Sequence, residues 1–262
     1  MHIRTHFLFV IAMVTISFFE LGRPLVGAEL IGGKKLGLTV NSRVAISDRA
    51  CPITGGIPFP RGGLSTEDRI RVFDSSDTEL PVQTEVLATW DTDGRQVRWL
   101  LVDFQAAGLK LGRNQFQLRY GPGAPSGETV ASVDPRESSW PPNKIIESLY
   151  MVDQDGRRYG AAVGDDETLI ETETAGPLRT VVRVHLYHKD RDGKRLCRAI
   201  LRLHYYAGID HVRVLHSVVM DADPEQVKIR GMRLKLAGFD GTAQTLTFEP
   251  GEFRVLVGRP SR

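Results

Sequence analysis

A two-residue repeat of apolar and polar side chains runs through most of this chain and argues against a helical fold. The clearest example is LPVQTEVLATW-DTDG-RQVRWLLVDF, in which two alternating segments flank the dipeptide Asp93-Gly94. Such alternation places successive side chains on opposite faces of a strand, and an Asp-Gly pair suits the tight turn of a hairpin. No segment after residue 28 has a convincing amphipathic helical period. The sequence therefore predicts an all-β protein.

The predicted strands fall into two groups. The first covers residues 36–46, 69–73, 81–90, 96–104 and 115–120; the second covers 145–152, a hairpin through Asp192-Gly193, 196–206, 211–220, 229–236 and short strands near Leu246 and Phe253. Between the groups, residues 121–144 are rich in Pro, Gly and Ser, which indicates a linker or a long crossing between domains. Strands this frequent are typical of a barrel or a sandwich.

The domain boundaries follow from this division. We expect a β-barrel domain at residues 29–125, a linker at 126–144 and an antiparallel β-sandwich at 145–262. The second group has fewer strands than a sandwich of ordinary size, so a small or incomplete domain is expected there.

The first 28 residues have the pattern of a secretory signal peptide. A basic start, MHIRTH, precedes the apolar run FLFVIAMVTISFF, and Val26-Gly27-Ala28 supplies small residues for cleavage. The apolar run is shorter than the roughly 20 residues of a spanning helix. We therefore expect export to an extracytoplasmic location and no membrane attachment after cleavage, with a retained signal anchor or a buried helix as alternatives.

Charge and cysteine content narrow the functional classes. The formal net charge is +2, which argues against a general nucleic-acid binder. Cys51 and Cys197 are the only cysteines, and they fall in segments assigned to different domains. Two free thiols are the preferred interpretation, and one disulfide is the alternative that an exported protein allows.

The segment TGGIPFPRGGL, residues 54–64, combines two glycine pairs with two prolines. Pro58 and Pro60 each fix φ at about −65° and bias the preceding residue towards extended backbone. The segment is predicted to form a rigid, exposed loop that displays Phe59 and Arg61 to a ligand. In the alternative, Phe59 folds back to cap a barrel end while Arg61 faces water.

Two tryptophans flank the Asp93-Gly94 turn. Trp90 and Trp99 would serve as sugar-stacking rings if both were exposed. Both lie inside predicted strands with apolar neighbours, so the alternative places at least one of them in the core.

Cations and histidines recur at alternate positions of three strands in the second group. They are Arg179, Arg183, His185, Arg198, Arg202, His204, His211 and Arg213. On antiparallel neighbours these side chains would form a patch that binds an acidic polymer such as a uronic-acid polysaccharide, and Arg183, His185, Arg202 and His204 are our candidate contacts. The alternative is an ordinary solvent face, and the strand register, which the sequence does not fix, decides between the two.

Several familiar chemical signatures are missing from the sequence. It has no phosphate-binding glycine motif, no GxSxG elbow, no CxxC pair and no HExxH helix. His185 and His188 are three residues apart, which on a strand directs them to opposite faces, so we predict no metal site there. No cofactor is evident from the residues.

Two segments resemble a known family. GGIPFPRGGL, followed by LPVQTEVLATW, the Asp93-Gly94 turn and VRWLLVDF, resembles the opening domain of the exo-rhamnogalacturonan lyase-like proteins, in which a G-x-P-[FW]-P-[KR]-G loop precedes a Q-x-x-x-x-x-x-W-x-D-G-x-x-x-W hairpin. This chain has an additional Thr92 in that hairpin. The segment from GPLRTVV to HVRVLHSVV is similar to the start of the family's second domain, where a YAG turn leads into a strand ending in H-[ST]. The resemblance runs from about Leu36 to Leu236.

The resemblance implies a small RIFT-type barrel followed by a β-sandwich, in an extracytoplasmic protein that acts on the rhamnogalacturonan part of pectin. Members of the family carry a helical toroid domain after the sandwich, which these 262 residues do not contain. The expectation is therefore a truncated or split member that at most binds acidic pectic polysaccharide. The alternatives are a non-catalytic carbohydrate-binding or adhesion module, and an active lyase whose helical domain a separate chain supplies.

The implied chemistry is β-elimination at a uronate. It requires a cation that neutralises the carboxylate and a base within hydrogen-bonding reach of the C5 proton. Arg61 matches the family's loop cation, and the resemblance identifies no base in this chain. The family's chemistry would also admit calcium, for which no site is identified.

Overall fold

The computed structural model describes residues 34–42, 45–47, 49–122, 133–135, 137–138, 141–223, 225–239, 242–249 and 252–257. The predicted signal peptide at 1–28 and much of the predicted linker lie outside the described residues. The chain divides into two compact units, residues 1–130 and 131–262. The one helix in the described part of the chain has four residues, and none there has the length and apolarity needed to cross a bilayer.

The described residues of the first unit form seven strands in two antiparallel sheets. They are β1 (Lys34–Ser42), β2 (Cys51–Pro58), β3 (Asp68–Phe73), β4 (Glu79–Leu80), β5 (Val82–Thr89), β6 (Val97–Ala106) and β7 (Gly112–Pro122). One sheet has the order β1-β7-β3-β4 and the other the order β2-β6-β5. The first and last strands of the unit, β1 and β7, are therefore paired with each other.

Both sheets of the first unit contribute to one apolar core. Val40 of β1 and Leu118 of β7 pack with Ile57 of β2 and Val102 of β6 in a single buried cluster. These residues occupy alternate positions of their strands, as the sequence pattern predicts, because one face of each strand is turned away from water.

The glycine-rich segment differs from its prediction. Residues 51–58 form β2, which pairs with β6 along its whole length. Gly55-Gly56 is therefore part of a strand and not of the predicted loop. A Cβ atom at Gly56 would lie 2.4 Å from Nε1 of Trp99, and the indole thus occupies the space above this glycine. The glycine serves close packing because only a residue without a side chain leaves room for the ring.

One short helix and nine strands lie in the described part of the second unit. They are α1 (Pro142–Ile145), β8 (Ile146–Asp153), β9 (Arg158–Ala161), β10 (Leu169–Thr174), β11 (Arg179–Lys189), β12 (Arg195–Tyr206), β13 (Ile209–Met220), β14 (Ile229–Phe239), β15 (Thr242–Glu249) and β16 (Glu252–Val257). The strands have the order β13-β12-β11-β9-β8-β14-β15-β16, and β10 also pairs with β11. The alternation pattern missed β9 and β10.

The sheet of the second unit folds back on itself. Val184 of β11 and Leu201 of β12 share a buried cluster with Leu149 of β8 and Leu234 of β14. The two halves of the sheet thus enclose a core, which is the arrangement of a β-sandwich. The structure confirms the predicted all-β fold and leaves β11, β12 and β13 with a second face outside this core.

Both cysteines are free thiols, as the sequence interpretation preferred. Cys51 is half-buried at the start of β2, and Cys197 is fully buried in β12.

Candidate functional site

A tight turn follows β2 at one end of the first unit. The N–H of Gly63 donates to the carbonyl of Pro60 at 2.9 Å, and Gly62 has φ 73°, which places it in the position of a type II turn that favours glycine. Arg61 is at the exposed tip of this turn. The predicted rigid loop therefore exists, but it is limited to residues 59–63.

Trp90 joins this turn to the β5–β6 hairpin. Its indole Nε1 donates to the carbonyl of Phe59 at 2.9 Å, and its own carbonyl accepts from Nη2 of Arg61 at 3.5 Å. The Gly62 N–H adds a hydrogen bond to Oε1 of Gln96 at 3.2 Å. The Gly62-Gly63 turn and the β5–β6 hairpin, which carry the family resemblance in the first unit, are thus in direct contact.

Two guanidinium groups lie against the ring of Trp90. The Cζ atom of Arg98 is 4.8 Å from the ring centroid, and that of Arg61 is 5.8 Å away. Both arginines are exposed. The ion pairs found in the described part of this unit involve three different arginines. They join Arg71 to Glu79, Arg95 to Asp93 and Arg119 to Asp77. Among the described residues, neither Arg61 nor Arg98 has a carboxylate partner, so both charges are available to an anion.

Phe59 is buried and is not displayed to a ligand. Its side chain is 4% exposed and packs edge-on against Tyr120, with 5.2 Å between ring centroids. The expectation of a displayed Phe59 is therefore wrong, and the alternative, in which it packs into the core while Arg61 faces water, describes its position. The apolar ring gains more from burial than it would from exposure at the loop tip.

The two tryptophans have different environments. Trp90 is half-buried and its ring is flanked by the guanidinium groups of Arg61 and Arg98, so it positions cations. Trp99 is 41% exposed and packs over Gly56. Arg98 and Trp99 are both exposed between the buried Val97 and Leu100, at a point where the β5–β6 register shifts, so regular alternation is interrupted there.

The four candidate residues of the second unit lie on one face, as predicted. Arg183 of β11 stands directly opposite Arg202 of β12, while His185 and His204 occupy the next positions of the same face on their strands. This is the face of β11 and β12 that points away from the sandwich core. Two arginines in direct opposition repel each other unless a counter-charge lies nearby.

Two carboxylates from β10 provide that counter-charge. Glu171 lies 2.5 Å from Nη2 of Arg183, and Glu173 accepts two hydrogen bonds from Arg202, at 2.6 and 2.9 Å. These hydrogen bonds, from Arg183 and Arg202 respectively, lower the pKa values of Glu171 and Glu173 from their ordinary value. Arg183 and Arg202 are therefore balanced by two ionised glutamates and are not free to pair with a polyanion. The exposed Arg213 of β13, which stands opposite His204, takes no part in these pairs.

The histidines of this face are also paired. Nε2 of His185 is 3.1 Å from Oε1 of Glu171, and Nδ1 of His204 is 3.3 Å from Nη1 of Arg179. Burial, with a smaller contribution from the charge of Arg179, lowers the pKa of His204 to about 4. His204 is therefore neutral near pH 7 and adds no positive charge to the face.

Metal ligation has little support from the usual donors. In the portion of the chain that the structure covers, no group of three or more His, Cys, Asp or Glu residues is arranged to hold an ion. His185 and His188 point to opposite faces of β11, as the sequence predicts: His185 lies on the outer face, and His188 is fully buried.

Comparison with protein families places both units in one family. Residues 44–107 match the PcRGLX-like N-terminal RIFT barrel domain, and residues 160–238 match the PcRGLX-like protein central beta sandwich domain. The two matches follow the same order along the chain as the barrel and sandwich expected from the sequence, and together they cover more than half of it. The chain belongs to the PcRGLX-like proteins, the exo-rhamnogalacturonan lyase-like family. A search of curated proteins found no match.

Sequence reasoning missed three residues that shape these surfaces. Arg98 stands beside Trp99 in the family hairpin, but strand alternation alone does not show that it reaches the ring of Trp90. Glu171 and Glu173 belong to a strand that was not predicted, because LIETET is short and follows a turn-rich segment. Their alternate spacing, with an apolar residue before them, was the available signal.

Proposed function

We propose that this chain binds the acidic, rhamnogalacturonan part of pectin at the exposed end of its barrel domain, through Arg61 and Arg98. The observation that carries the proposal is that both guanidinium groups rest on Trp90 without a carboxylate partner among the described residues. A uronate carboxylate would satisfy both cations, and Arg–carboxylate hydrogen bonds are among the stronger polar contacts.

The geometry favours the barrel end over the outer face of the sandwich. Arg183 and Arg202 of the sandwich face already bind Glu171 and Glu173. A glycan carboxylate that bound these two arginines would have to displace the glutamates. At the barrel end, the two like charges repel each other, and a bound anion would relieve that repulsion. Both arginines are exposed, so binding should weaken as salt screens the charges.

The test is a binding measurement on rhamnogalacturonan oligosaccharides by isothermal titration calorimetry. Exchange of both Arg61 and Arg98 for Ala should weaken binding by more than about tenfold, the equivalent of 1.4 kcal/mol, since a charge-assisted hydrogen bond contributes about 1.5–3 kcal/mol. A neutral galactan should bind with no comparable affinity.

Two control variants make the result specific. Arg71→Ala removes an equal charge from another sheet of the same unit, where the arginine is already paired with Glu79 at 3.6 Å, and should leave affinity unchanged. Trp99→Ala removes the exposed indole that packs over Gly56. A loss of affinity in Trp99→Ala but not in the double arginine variant would place the glycan elsewhere and refute the proposed site.

A lyase activity is the second candidate function. It is favoured by family membership and by the unpaired charge of Arg61, which is suited to neutralising the uronate carboxylate during C5 proton removal. Incubation of the chain with rhamnogalacturonan, followed by ultraviolet detection of unsaturated uronic ends, distinguishes the two functions. Product formation by the chain alone would establish cleavage; binding without product supports the binding function.

Export is part of the proposal. The support is the sequence of residues 1–28, with its basic start, apolar run and small-residue cleavage signal. Mass spectrometry of the protein recovered outside the cytoplasm should find a chain that begins at about Glu29, and an uncut chain retained in the cytoplasm would contradict export.

A further inference from the structure

A cluster of sulfur and nitrogen donors lies inside the second unit, on the face of β11 and β12 opposite to Arg183 and Arg202. Sγ of Cys197 is 3.3 Å from Sδ of Met151 and 3.4 Å from Nδ1 of His188. Cys197 and His188 are 0% exposed and Met151 is 2% exposed. Three different elements, β8, β11 and β12, thus bring their donor atoms together in a space closed to water.

Hydrogen bonding alone does not satisfy this cluster. The thiol of Cys197 has one hydrogen, which either Met151 or His188 accepts, but not both. Nε2 of His188 has no hydrogen-bond partner in the described structure, although the ring is fully buried. The buried cluster therefore holds more polar atoms than its own hydrogen bonds satisfy.

The donor types identify the class of ion. A thiolate, a thioether and a neutral imidazole are soft ligands that suit Cu(I), whereas Zn(II) prefers four Cys, His or carboxylate ligands and Ca(II) prefers oxygen. Met232 stands opposite Met151 in the β8–β14 register and packs against the same cluster, which adds a second thioether nearby.

The spacing of the donors also fits a small first-row ion. Metal–donor distances of about 2.0–2.3 Å in a three-coordinate plane separate the donors by roughly 3.7 Å. The observed 3.3 and 3.4 Å require only a slight expansion. We propose that Cys197, His188 and Met151 form a buried binding site for one Cu(I) ion.

Charge balance favours a monovalent ion in this position. When Cu(I) binds, the proton of the Cys197 thiol leaves to solvent and a Cu–S bond forms, with no change of oxidation state. The thiolate and the ion together carry no net charge, which limits the cost of burial. His188 ligates the ion through Nδ1 in its neutral form, which adds no further charge to the site.

The cluster has a short route to the surface. His188 lies near the end of β11 and Cys197 near the start of β12, beside the hairpin turn that joins these strands. A surface depression of about 360 Å³ borders Leu196 and Ala222, and both of these residues pack against the cluster.

The experiment is an anaerobic titration of the full chain with Cu(I) in competition with bicinchoninate, a coloured Cu(I) chelator. We expect one Cu(I) to be retained per chain. Cys197→Ser should weaken the affinity by well over tenfold, because loss of an outer-shell partner alone costs about 10–100-fold. Cys51→Ser, the matched variant of the other free thiol, should bind as the wild type does.

Further measurements keep the proposal open to refutation if Cys197→Ser folds poorly. Met151→Leu conserves volume and should fold, yet should still weaken Cu(I) binding. X-ray absorption on the wild-type complex should show sulfur and nitrogen neighbours at about 2.0–2.3 Å. The proposal is overturned if folded wild-type protein loses Cu(I) to the chelator, if binding follows Cys51, or if Zn(II) binds with equal affinity.

Discussion

Phe59 and Arg61 are two positions apart in sequence and have opposite environments. The ring of Phe59 lies in the core, and its carbonyl accepts from the indole of Trp90, while Arg61 at the tip of the turn lies over that same indole. Trp90 therefore determines both the shape of the turn and the place of its cation. The candidate glycan contact is a property of the turn and the hairpin together.

A second residue-scale feature is the fit of Trp99 over Gly56. The change Gly56→Ala would place a Cβ atom 2.4 Å from Nε1 of the indole, so the ring must move. Overpacking of this kind costs about 1–3 kcal/mol. We expect a lower free energy of unfolding in urea, accompanied by a shift of the tryptophan fluorescence.

Gly37→Ala provides the control for this prediction. Gly37 lies in β1, and a Cβ atom there would have no neighbour within 4 Å. This variant should be neutral or stabilised by up to about 1 kcal/mol through a less flexible unfolded chain. Equal stability changes in the two variants would contradict the packing role assigned to Gly56.

At the scale of the element, β10 determines the charge of the outer sandwich face. Glu173 contacts both Arg183, at 3.3 Å, and Arg202, at 2.6 Å, and so holds two opposed cations together. Without β10, the same face would carry the cationic patch that the sequence suggested. A short strand at the edge of the sheet thus changes the expected function of two long ones.

The change Glu173→Gln tests this role. It leaves Arg183 and Arg202 opposite each other with one carboxylate fewer, so the free energy of unfolding should fall by up to about 1 kcal/mol, as for a partly exposed ion pair. The variant should also bind polygalacturonate more strongly than the wild type in affinity electrophoresis. Glu79→Gln, which breaks an exposed pair in the first unit, should change neither quantity appreciably. Unaltered polyanion binding in Glu173→Gln would show that β10 does not control the face.

At the scale of the whole molecule, the two units should respond differently to acid. His188, His204 and His216 of the second unit are buried, and burial is the main cause that lowers the pKa of each to about 4. The charge of Arg179 adds to the effect at His204, and His188 adds to it at His216. No histidine lies between residues 34 and 122.

The sign of the effect follows from these pKa values. Above pH 6.5, the pKa of a histidine in the unfolded chain, all three rings are neutral in the folded and the unfolded states. Their protonation therefore takes nothing from the free energy of unfolding at that pH. As the pH falls from there towards 4, the unfolded chain binds protons that the folded chain does not, and stability is lost. Summed over the three rings the loss is on the order of 10 kcal/mol, which is comparable with the total stability of a domain.

Calorimetry from about pH 7.5 to pH 4.5 measures this loss. The tryptophan fluorescence of a Trp140→Phe variant, which keeps only Trp90 and Trp99, follows the first unit. The transition of the second unit should move to lower temperature, and that of the first unit should move much less. His216→Gln removes one of the three titrating groups and should reduce the pH dependence by about a third. An equal shift of both transitions would show that the buried histidines are not the cause.

The sequence by itself determined the all-β class, the two-unit order and the family. These conclusions rest on local patterns: alternation in β6, β11 and β12 reflects one buried face per strand, and the glycine and proline motif is recognisable without knowledge of its neighbours. Even the outward face shared by Arg183, His185, Arg202 and His204 follows from a period of two.

Only the tertiary structure decided which of these residues are available. The burial of Phe59, the neutralisation of Arg183 and Arg202 by Glu171 and Glu173, and the convergence of Cys197, His188 and Met151 all depend on contacts between residues distant in sequence. Alternation fixes the face on which a side chain lies, but not the charge or the atom that meets it. Those partners depend on strand order and register, which are set by the packing of the whole unit.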